Sequence, residues 1–302
     1  MPTPSPTIHD VVTGDLADRV KQLMLFSRYR VDGRFSGENR SVRKGFSTDF
    51  LQHRQYVLGD NLKYIDWRVF GRTGRYVVRE YEETTNCDIY VVVDNSASMA
   101  YGDGEYSKHE YAMRLCAMIF YMAMTQKDSF GLSMITDVVQ MHANPGTSRR
   151  HLIRLYESLL SQTPNGVCEW EPALRLVQAK VKRRGLVLVL SDFMADPESI
   201  SRGLSGFRSK NCDVVCFHIQ HPREMDLDQT SMTRFVDVED GSAETVDPLL
   251  VREAYKEQVE RHSVELRQAF NHRGVAYCPL IVGPDFDVGL GDFLRHRMNA
   301  LL

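Results

Sequence analysis

Short apolar runs alternate with amphipathic segments from residue 88 onward. The runs are rich in Val, Leu and Ile, which is typical of strands covered on both faces. They span residues 89–94, 129–136, 186–192, 213–220 and 275–283. The segments between them repeat apolar residues at helical spacing, which predicts helices over 108–126, 148–162, 171–184, 196–209 and 248–274. Alternating strands and helices predict an α/β fold, with a mostly parallel sheet and helices on both of its faces.

The first 85 residues follow another pattern. Residues 1–14 are rich in Pro, Thr and Ser, which predicts a loose tail, and residues 15–29 have helical spacing. The rest mixes aromatic and basic residues with glycine turn signals, which predicts short strands or loops. We therefore expect residues 1–85 to form an N-terminal extension that wraps onto the core, and residues 86–302 to form the α/β domain.

Asp66 and Trp67 are the candidates for anchoring this extension. A tryptophan beside a polar residue suits a buried contact that also carries a hydrogen bond. We interpret the pair as such a structural contact. The alternative is that these residues bind a partner protein.

Composition and charge exclude several classes of function. The 302 residues are 43% hydrophobic and 25% charged, which suits a globular protein with a sizeable core. The formal net charge of -3 argues against nucleic acid as a partner. No apolar stretch is long enough to span a membrane, and the first residues do not resemble a signal peptide. Because the six cysteines are also scattered, as reduced thiols would be, we expect a cytoplasmic protein.

Oxygen-bearing side chains gather at the ends of two predicted strands. Asp94 ends the first apolar run and is followed by Ser96 and Ser98, and Asp192 ends another run. Because sites in parallel sheets form outside the carboxyl ends of the strands, we expect these side chains to lie close together. Two neighbouring carboxylates repel each other, and a divalent cation such as Mg²⁺ can hold both ionised. The alternative is that the serines cap the helix over 108–126, and that Asp192 caps or turns the chain before the next helix.

Two strings in this region resemble a known kind of metal site. They are "DNSASM", residues 94–99, and "LVLSDF", residues 188–193, and both are similar to the metal-ion-dependent adhesion site of von Willebrand factor A domains. The upstream segment resembles the signature of the bacterial "domain of unknown function 58" family; it reads "GFSTDFLQHRQYVLGDNLKYIDWRVFGRTGRYVVREYEE". The resemblance extends over nearly the whole chain, and it implies a von Willebrand factor A-like, Rossmann-like fold.

The resemblance also implies which residues hold the metal. Carried over by position, the magnesium site would consist of Asp94, Ser96, Ser98 and Asp192. The fifth contributor in such folds is usually a threonine, and Cys168 stands at that position here. Because a neutral thiol is a poor ligand for a hard cation, Cys168 predicts weak Mg²⁺ binding. Mn²⁺ or Ca²⁺ could substitute for Mg²⁺.

Finally, the resemblance implies a function. Members of the family are typically encoded near MoxR-type AAA+ ATPases and are thought to act as their non-enzymatic partners. This predicts a protein-interaction module in which an acidic residue of such an ATPase, or of its client, completes the coordination of Mg²⁺. The sequence carries no nucleophile elbow, phosphate-binding loop or paired zinc-binding histidines, which also argues against an enzyme. Two alternatives stay open: a metal-dependent phosphohydrolase that uses Asp94, and a scaffold whose metal site is vestigial.

Overall fold

The computed structural model of the chain describes residues 50–57, 62–81, 87–102, 107–227, 231–236 and 241–283. These residues divide into two compact units, one within residues 34–86 and one that begins at Cys87. The predicted tail over 1–14 and the predicted helix over 15–29 lie outside the described residues. The wrapping of residues 1–85 onto the core therefore stays a prediction.

The smaller unit is a two-stranded ribbon with a short helix between its strands. Its elements are β1 (Phe50–Gln55), a 3₁₀ turn (Leu62–Tyr64), α1 (Trp67–Thr73) and β2 (Val77–Tyr81), with β1 and β2 antiparallel. The sequence predicts only strands or loops here, so helix α1 was not predicted. Asp66 caps the start of α1 by accepting hydrogen bonds from the Arg68 and Val69 amides. Gly74 ends α1 in the left-handed conformation, at φ 67°.

The larger unit alternates strands with helices, as the apolar pattern predicts. Its strands are β3 (Asp88–Asp94), β4 (Ser129–Ile135), β5 (Val139–Gly146), β6 (Gly185–Ser191), β7 (Asp213–Gln220), β8 (Thr233–Val236), β9 (Ala243–Val246) and β10 (Ala276–Ile281). Its helices are α2 (Lys108–Gln126), α3 (Arg149–Leu160), α4 (Trp170–Lys180), α5 (Pro197–Arg208), α6 (Pro222–Met225) and α7 (Pro248–His272). Every strand and helix predicted from the alternating pattern is present, and the further elements β5, β8, β9 and α6 lie outside that pattern.

Six strands of this unit form one sheet, in the order β10-β7-β6-β3-β4-β5. All neighbouring pairs are parallel except β4 with β5, which are antiparallel at the edge. Strands β8 and β9 pair separately as an antiparallel ribbon. The mostly parallel α/β fold class predicted from the sequence is therefore confirmed. In this arrangement β3 and β6 are central neighbours, and their carboxyl ends lie side by side.

Helices cover both faces of the sheet because successive strand residues point to opposite sides. On β3, Val91 and Val93 pack into the cluster covered by α2 and α3. Tyr90 and Val92 pack into the opposite cluster, which α4, α5 and α7 cover. None of the helices in the described ranges combines the length and apolar character needed to cross a membrane.

We predict that Val92→Asp unfolds the protein. Val92 is 0% exposed on a central strand, and an unpaired carboxylate there should cost more than about 4 kcal/mol. The matched control is Val138→Asp, because Val138 is 50% exposed in the turn between β4 and β5. Circular dichroism during heating is the measurement. A cooperative melt of Val92→Asp at the wild-type temperature would contradict the packing of this sheet.

Candidate metal centre

The parallel pairing of β3 with β6 brings two carboxylates to one edge of the sheet. Val93 pairs with Leu190 in the parallel register. The residues that follow them, Asp94 on β3 and Ser191 and Asp192 after Leu190, therefore lie at the same edge of the sheet. Asp94 is 2% exposed and Asp192 is 3% exposed, so both carboxylates are buried. The structure thus brings the two strand-end aspartates into one buried site, and electrostatic repulsion acts between them.

Both oxygens of the Asp94 carboxylate accept hydrogen bonds. The Ser96 amide donates to Oδ1 at 2.9 Å, and the Ser191 hydroxyl donates to Oδ2 at 2.6 Å. Ser191 Oγ in turn accepts a hydrogen bond from the Phe193 amide at 2.7 Å. Ser191 therefore orients Asp94 from the neighbouring strand. Sequence reasoning missed this residue, although a hydroxyl inside an otherwise apolar run was a signal for it.

The turn after β6 is held in an unusual conformation. Phe193 has φ 49°, a left-handed backbone that bulky residues rarely adopt. Its ring is fully buried, 5.2 Å from that of Trp170 and 5.5 Å from that of Phe270 between centroids. His262 Nε2 donates to the Phe193 carbonyl oxygen at 2.9 Å. Packing and this hydrogen bond together hold the turn that carries Asp192.

Ser96 and Ser98 do not cap the following helix. Their hydroxyl oxygens lie 3.1 Å apart and bond to each other. Helix α2 is capped instead by Ser107, whose hydroxyl and the carboxylate of Glu110 form a reciprocal capping box. The capping alternative for these two serines is therefore wrong, and their oxygens face each other beside Asp94.

For Asp192, the capping half of the alternative is wrong, whereas the turn half is confirmed, because Asp192 accepts a hydrogen bond within the turn after β6. Helix α5 is capped by Asp196, which accepts a hydrogen bond from the Ser199 amide at 2.8 Å. Asp192 Oδ1 accepts only a longer bond, from the Met194 amide at 3.3 Å, which belongs to the turn after β6. Its other oxygen, Oδ2, contacts a side chain from a distant part of the chain.

The side chain that contacts Asp192 Oδ2 is that of Lys108, the first residue of α2. Its Nζ lies 2.6 Å from Asp192 Oδ2 and 2.6 Å from Glu224 Oε1, and the side chain is 0% exposed. Burial alone would lower the pKa of Lys108, but the two carboxylates outweigh burial and raise that pKa. Sequence reasoning found no basic residue beside Asp192 along the chain and missed this one. A possible signal was its position, because a cation is disfavoured at a helix N-terminus.

Asp94, by contrast, has no such cation among the described side chains. Burial and, second to it, the negative charge of Asp192 together raise its pKa to about 7. The hydrogen bonds from Ser191 and Ser96 act in the opposite direction and do not offset burial. Asp94 is thus a buried acid that resists ionisation unless positive charge comes close.

The loop that carries Cys168 adjoins this site. The Asn165 amide donates to the Asn95 carbonyl at 2.8 Å, and the Ala97 amide donates to the Gly166 carbonyl at 2.8 Å. The half-buried side chain of Cys168 packs against the apolar cluster that contains Trp170. The loop therefore reaches the turn after β3, and the Cys168 side chain also contacts the apolar cluster.

Asp192 and Glu224 also line a cavity beside the site. The cavity has a volume of about 430 Å³, and its lining includes Asp192, Glu224, His218 and Tyr255. Tyr255 of α7 donates through its hydroxyl to the Glu224 carbonyl at 2.7 Å. Burial lowers the pKa of His218 to about 4, so its ring is neutral near pH 7.

The donor set fits a hard divalent cation. The three carboxylates of Asp94, Asp192 and Glu224, less the one ammonium of Lys108, leave a net charge of -2 when all are ionised. No three Cys, His, Asp or Glu side chains are grouped as metal ligands in the part of the chain that the structure describes. An ion here would therefore depend on the serine hydroxyls and on water, which suits Mg²⁺ better than Zn²⁺.

The sequence matches the family described as "Protein of unknown function DUF58" over residues 52–265. Uncharacterized proteins of Mycobacterium bovis and Mycobacterium tuberculosis are 23% identical over 304 residues, covering 99% of this chain and 95% of each relative. Similar solved structures include BatB from Bacteroides thetaiotaomicron, with 13% identity, a TM-score of 0.46, and coverage of 71% of this chain and 100% of BatB. An aerotolerance-related membrane protein from Bacteroides fragilis has 16% identity and a TM-score of 0.47, with coverage of 71% and 100%. The SpRpn10 VWA domain has 13% identity and a TM-score of 0.43, with coverage of 68% and 94%.

We predict that Asp94→Asn stabilises the metal-free protein above pH 7 by on the order of 4 kcal/mol, because the pKa of Asp94 is about 3 higher in the folded protein than in the unfolded chain. Folded Asp94 keeps its proton up to about pH 7, whereas in the unfolded chain it ionises near its ordinary pKa of 3.8. Ionisation therefore costs folding free energy as the pH rises from about 4 to about 7. The Asn variant avoids this cost, so its advantage should vanish below about pH 4.

Urea unfolding in EDTA across this pH range is the measurement. The matched control is Asp137→Asn, which changes an exposed carboxylate in the turn between β4 and β5. A stabilisation by Asp94→Asn that is the same at pH 4 and pH 8 would contradict the assignment of Asp94 as a buried acid.

Proposed function

Because this chain belongs to the DUF58 family of proteins of unknown function, we propose its function from the chemistry of its own site. The protein is a non-enzymatic interaction module that uses a divalent cation, Mg²⁺ in the first place, to bind an acidic residue of a partner protein. The observation that carries this proposal is the buried Asp94 carboxylate, which lies beside Ser96 and Ser98 and lacks a cationic partner among the described residues.

Each residue has a distinct part in this site. Asp94 and Asp192 supply the negative charge that holds the ion, and the Ser96 and Ser98 hydroxyls supply neutral oxygens. Lys108 pairs with the Asp192 carboxylate and orients it. When bound, the ion supplies the positive charge that attracts a partner's carboxylate. Ser98 is the partly exposed member of the set, so a partner reaches the site from its side.

The surroundings of the serines support a binding role over catalysis. A serine nucleophile is commonly activated by a neighbouring histidine, whereas the Ser96 and Ser98 hydroxyls bond to each other and Ser96 also bonds to the Asp94 carboxylate. The buried His218 is engaged elsewhere, with its Nδ1 atom 2.6 Å from the Tyr277 hydroxyl. The site therefore offers oxygen ligands and fixed charge, and its buried histidine does not serve the serines.

The partner that we propose is a MoxR-type AAA+ ATPase or its client protein. The sequence resemblance described above implies this class of partner. The site chemistry adds one requirement, namely that the partner presents an accessible Asp or Glu side chain, because a divalent cation at this site prefers hard oxygen ligands.

A scaffold with a vestigial metal site is the second candidate. Two observations favour it: Cys168 packs against apolar side chains, and Lys108 already neutralises Asp192. In that case partners would bind to the surfaces of the protein, and added Mg²⁺ would change neither stability nor partner binding. Titration with Mg²⁺ separates this candidate from the first one.

We predict that Cys168→Thr raises the affinity for Mg²⁺ by about five- to tenfold, because one added ligating or hydrogen-bonding oxygen is worth about 1 kcal/mol or more. Zn²⁺ should show the opposite preference, since a thiolate is its better ligand. Calorimetric titration of both ions into both proteins is the measurement. The matched control is Cys87→Thr, which precedes the opposite end of β3. Equal Mg²⁺ affinities in wild type and Cys168→Thr would show that the side chain at this position does not reach the site.

We further predict that binding to a purified MoxR-type ATPase from the same organism requires both Mg²⁺ and Asp94. Surface plasmon resonance should show binding in Mg²⁺, loss of binding in EDTA, and at least about a tenfold weaker interaction for Asp94→Asn. The control is Asp137→Asn, which should bind as the wild type does. Binding that survives both EDTA and Asp94→Asn would exclude the metal site from the interface, and no binding by the wild type would exclude this partner.

A further inference from the structure

The smaller unit carries a row of aromatic side chains at its surface. The rings of Trp67 and Phe70 meet edge to face with centroids 6.1 Å apart, and those of Phe70 and Tyr76 stack at 4.4 Å. Tyr56 extends the row, with its ring 6.3 Å from that of Tyr76. Trp67 is 58% exposed and Tyr76 is 49% exposed. The structural burial of Trp67 that the sequence analysis expects is therefore wrong, because only its neighbour Asp66 is buried.

The backbone beneath this row is well anchored. Asp66 Oδ1 accepts hydrogen bonds from the first amides of α1, and Asp66 Oδ2 lies 3.0 Å from His53 Nε2. The Asp66 amide donates to the Val77 carbonyl at 2.9 Å, and buried Ile65 bridges to Val78. Helix α1 is thus fixed to β1 and β2, so the exposed rings are presented by a defined framework.

Three arginines alternate with the aromatic residues. Arg68 and Arg72 are four residues apart on α1 and so lie on one side of it, and Arg75 follows directly after the helix. All three are exposed, and in the described part of the chain their side chains form no ion pair or hydrogen bond. The arginine–aromatic surface, as we call it, consists of Trp67, Arg68, Phe70, Arg72, Arg75 and Tyr76.

No carboxylate described in this unit neutralises the arginines. Asp66 is 7% exposed and is already engaged by amides and by His53. Tryptophan, tyrosine and arginine are the residues that contribute most to binding energy at protein interfaces. The planar, positively charged guanidinium group of arginine can also form two parallel hydrogen bonds to a carboxylate. The chemistry that complements this surface is therefore an acidic segment that also carries apolar or aromatic side chains.

We propose that the arginine–aromatic surface binds such an acidic segment of a partner protein, and that it does so without the metal centre. A short acidic peptide fits better than a nucleic acid. The chain as a whole has a net charge of -3, so a long polyanion would meet repulsion beyond these arginines. The surface shares no residue with the metal centre. The proposal of peptide binding can therefore fail while the function proposed above holds, and the reverse is also true.

The test uses the full chain and a fluorescein-labelled peptide in which pairs of glutamates alternate with single phenylalanines. Fluorescence anisotropy should show saturable binding in EDTA, with the same affinity for wild type and Asp94→Asn. The charge-reversed variant Arg68→Glu/Arg72→Glu/Arg75→Glu should bind at least about tenfold more weakly, and so should Trp67→Ala. A peptide with glutamines in place of the glutamates should not bind.

The matched control is Arg149→Glu/Arg150→Glu/Arg154→Glu. These arginines are also exposed, on α3 of the larger unit, so the change in net charge is the same. This control should lose less than about threefold in affinity. Thermal unfolding of every variant, followed by circular dichroism, verifies that the fold is retained.

A second readout comes from the tryptophans, of which the chain has two. In a Trp170→Phe background Trp67 is the only one, and peptide binding should shift its emission. The proposal is overturned if the wild type does not bind the peptide, if the α3 control loses as much affinity as the surface variant, or if EDTA abolishes binding. It is also overturned if a single-stranded oligothymidine binds more tightly than the peptide, which would identify the surface as a nucleic-acid site.

Discussion

The main electrostatic constraint on the larger unit is the burial of two carboxylates at the ends of its central strands. Transfer of an ionised carboxylate from water into a protein interior costs several kcal/mol unless a cation is close. Asp94 and Asp192 end adjacent strands, and both are buried there. Lys108 offsets the cost for Asp192, whereas Asp94 meets only hydrogen-bond donors and its pKa rises to about 7 as burial dominates. With Glu224 counted, the chain itself neutralises one of the three negative charges of the site, and the remaining charge is what a cation would balance.

Lys108 also joins parts of the chain that are far apart in sequence. It starts α2, while its carboxylate partners belong to the turn after β6 and to α6. A cation is unfavourable at a helix N-terminus, and the two carboxylates outweigh that effect locally. Glu224 extends the connection to α7 through the Tyr255 hydroxyl. A ligand that changes the charge near Asp192 therefore also affects the ion pairs of Lys108, which connect α2 and α6 to the turn after β6.

Much of the fold could be predicted because its strands and helices differ in the period of their apolar residues. The edge strand β5 was missed, although Val139, Met141 and Ala143 alternate with polar residues in the way a half-buried strand does. Asp94 and Asp192 could be placed together because parallel strands end at one edge. A lysine at a helix N-terminus was a signal that Lys108 has a special role, but its pairing with Asp192 could not be predicted, since the two residues are 84 positions apart and only the folded chain brings them together.

In the function proposed above, Lys108 and a divalent cation act on the same excess of negative charge. Lys108→Met leaves Asp192 and Glu224 without their ammonium, so it should destabilise the metal-free protein by about 3 to 5 kcal/mol. The most direct measurement is the rise in Tm that saturating Mg²⁺ gives to wild type, to Lys108→Met and to Lys182→Met, which alters an exposed lysine as a control. The account predicts the largest rise for Lys108→Met, and equal smaller rises for the other two proteins. A rise in Lys108→Met no larger than that of the wild type, or none in any of the three, would contradict it.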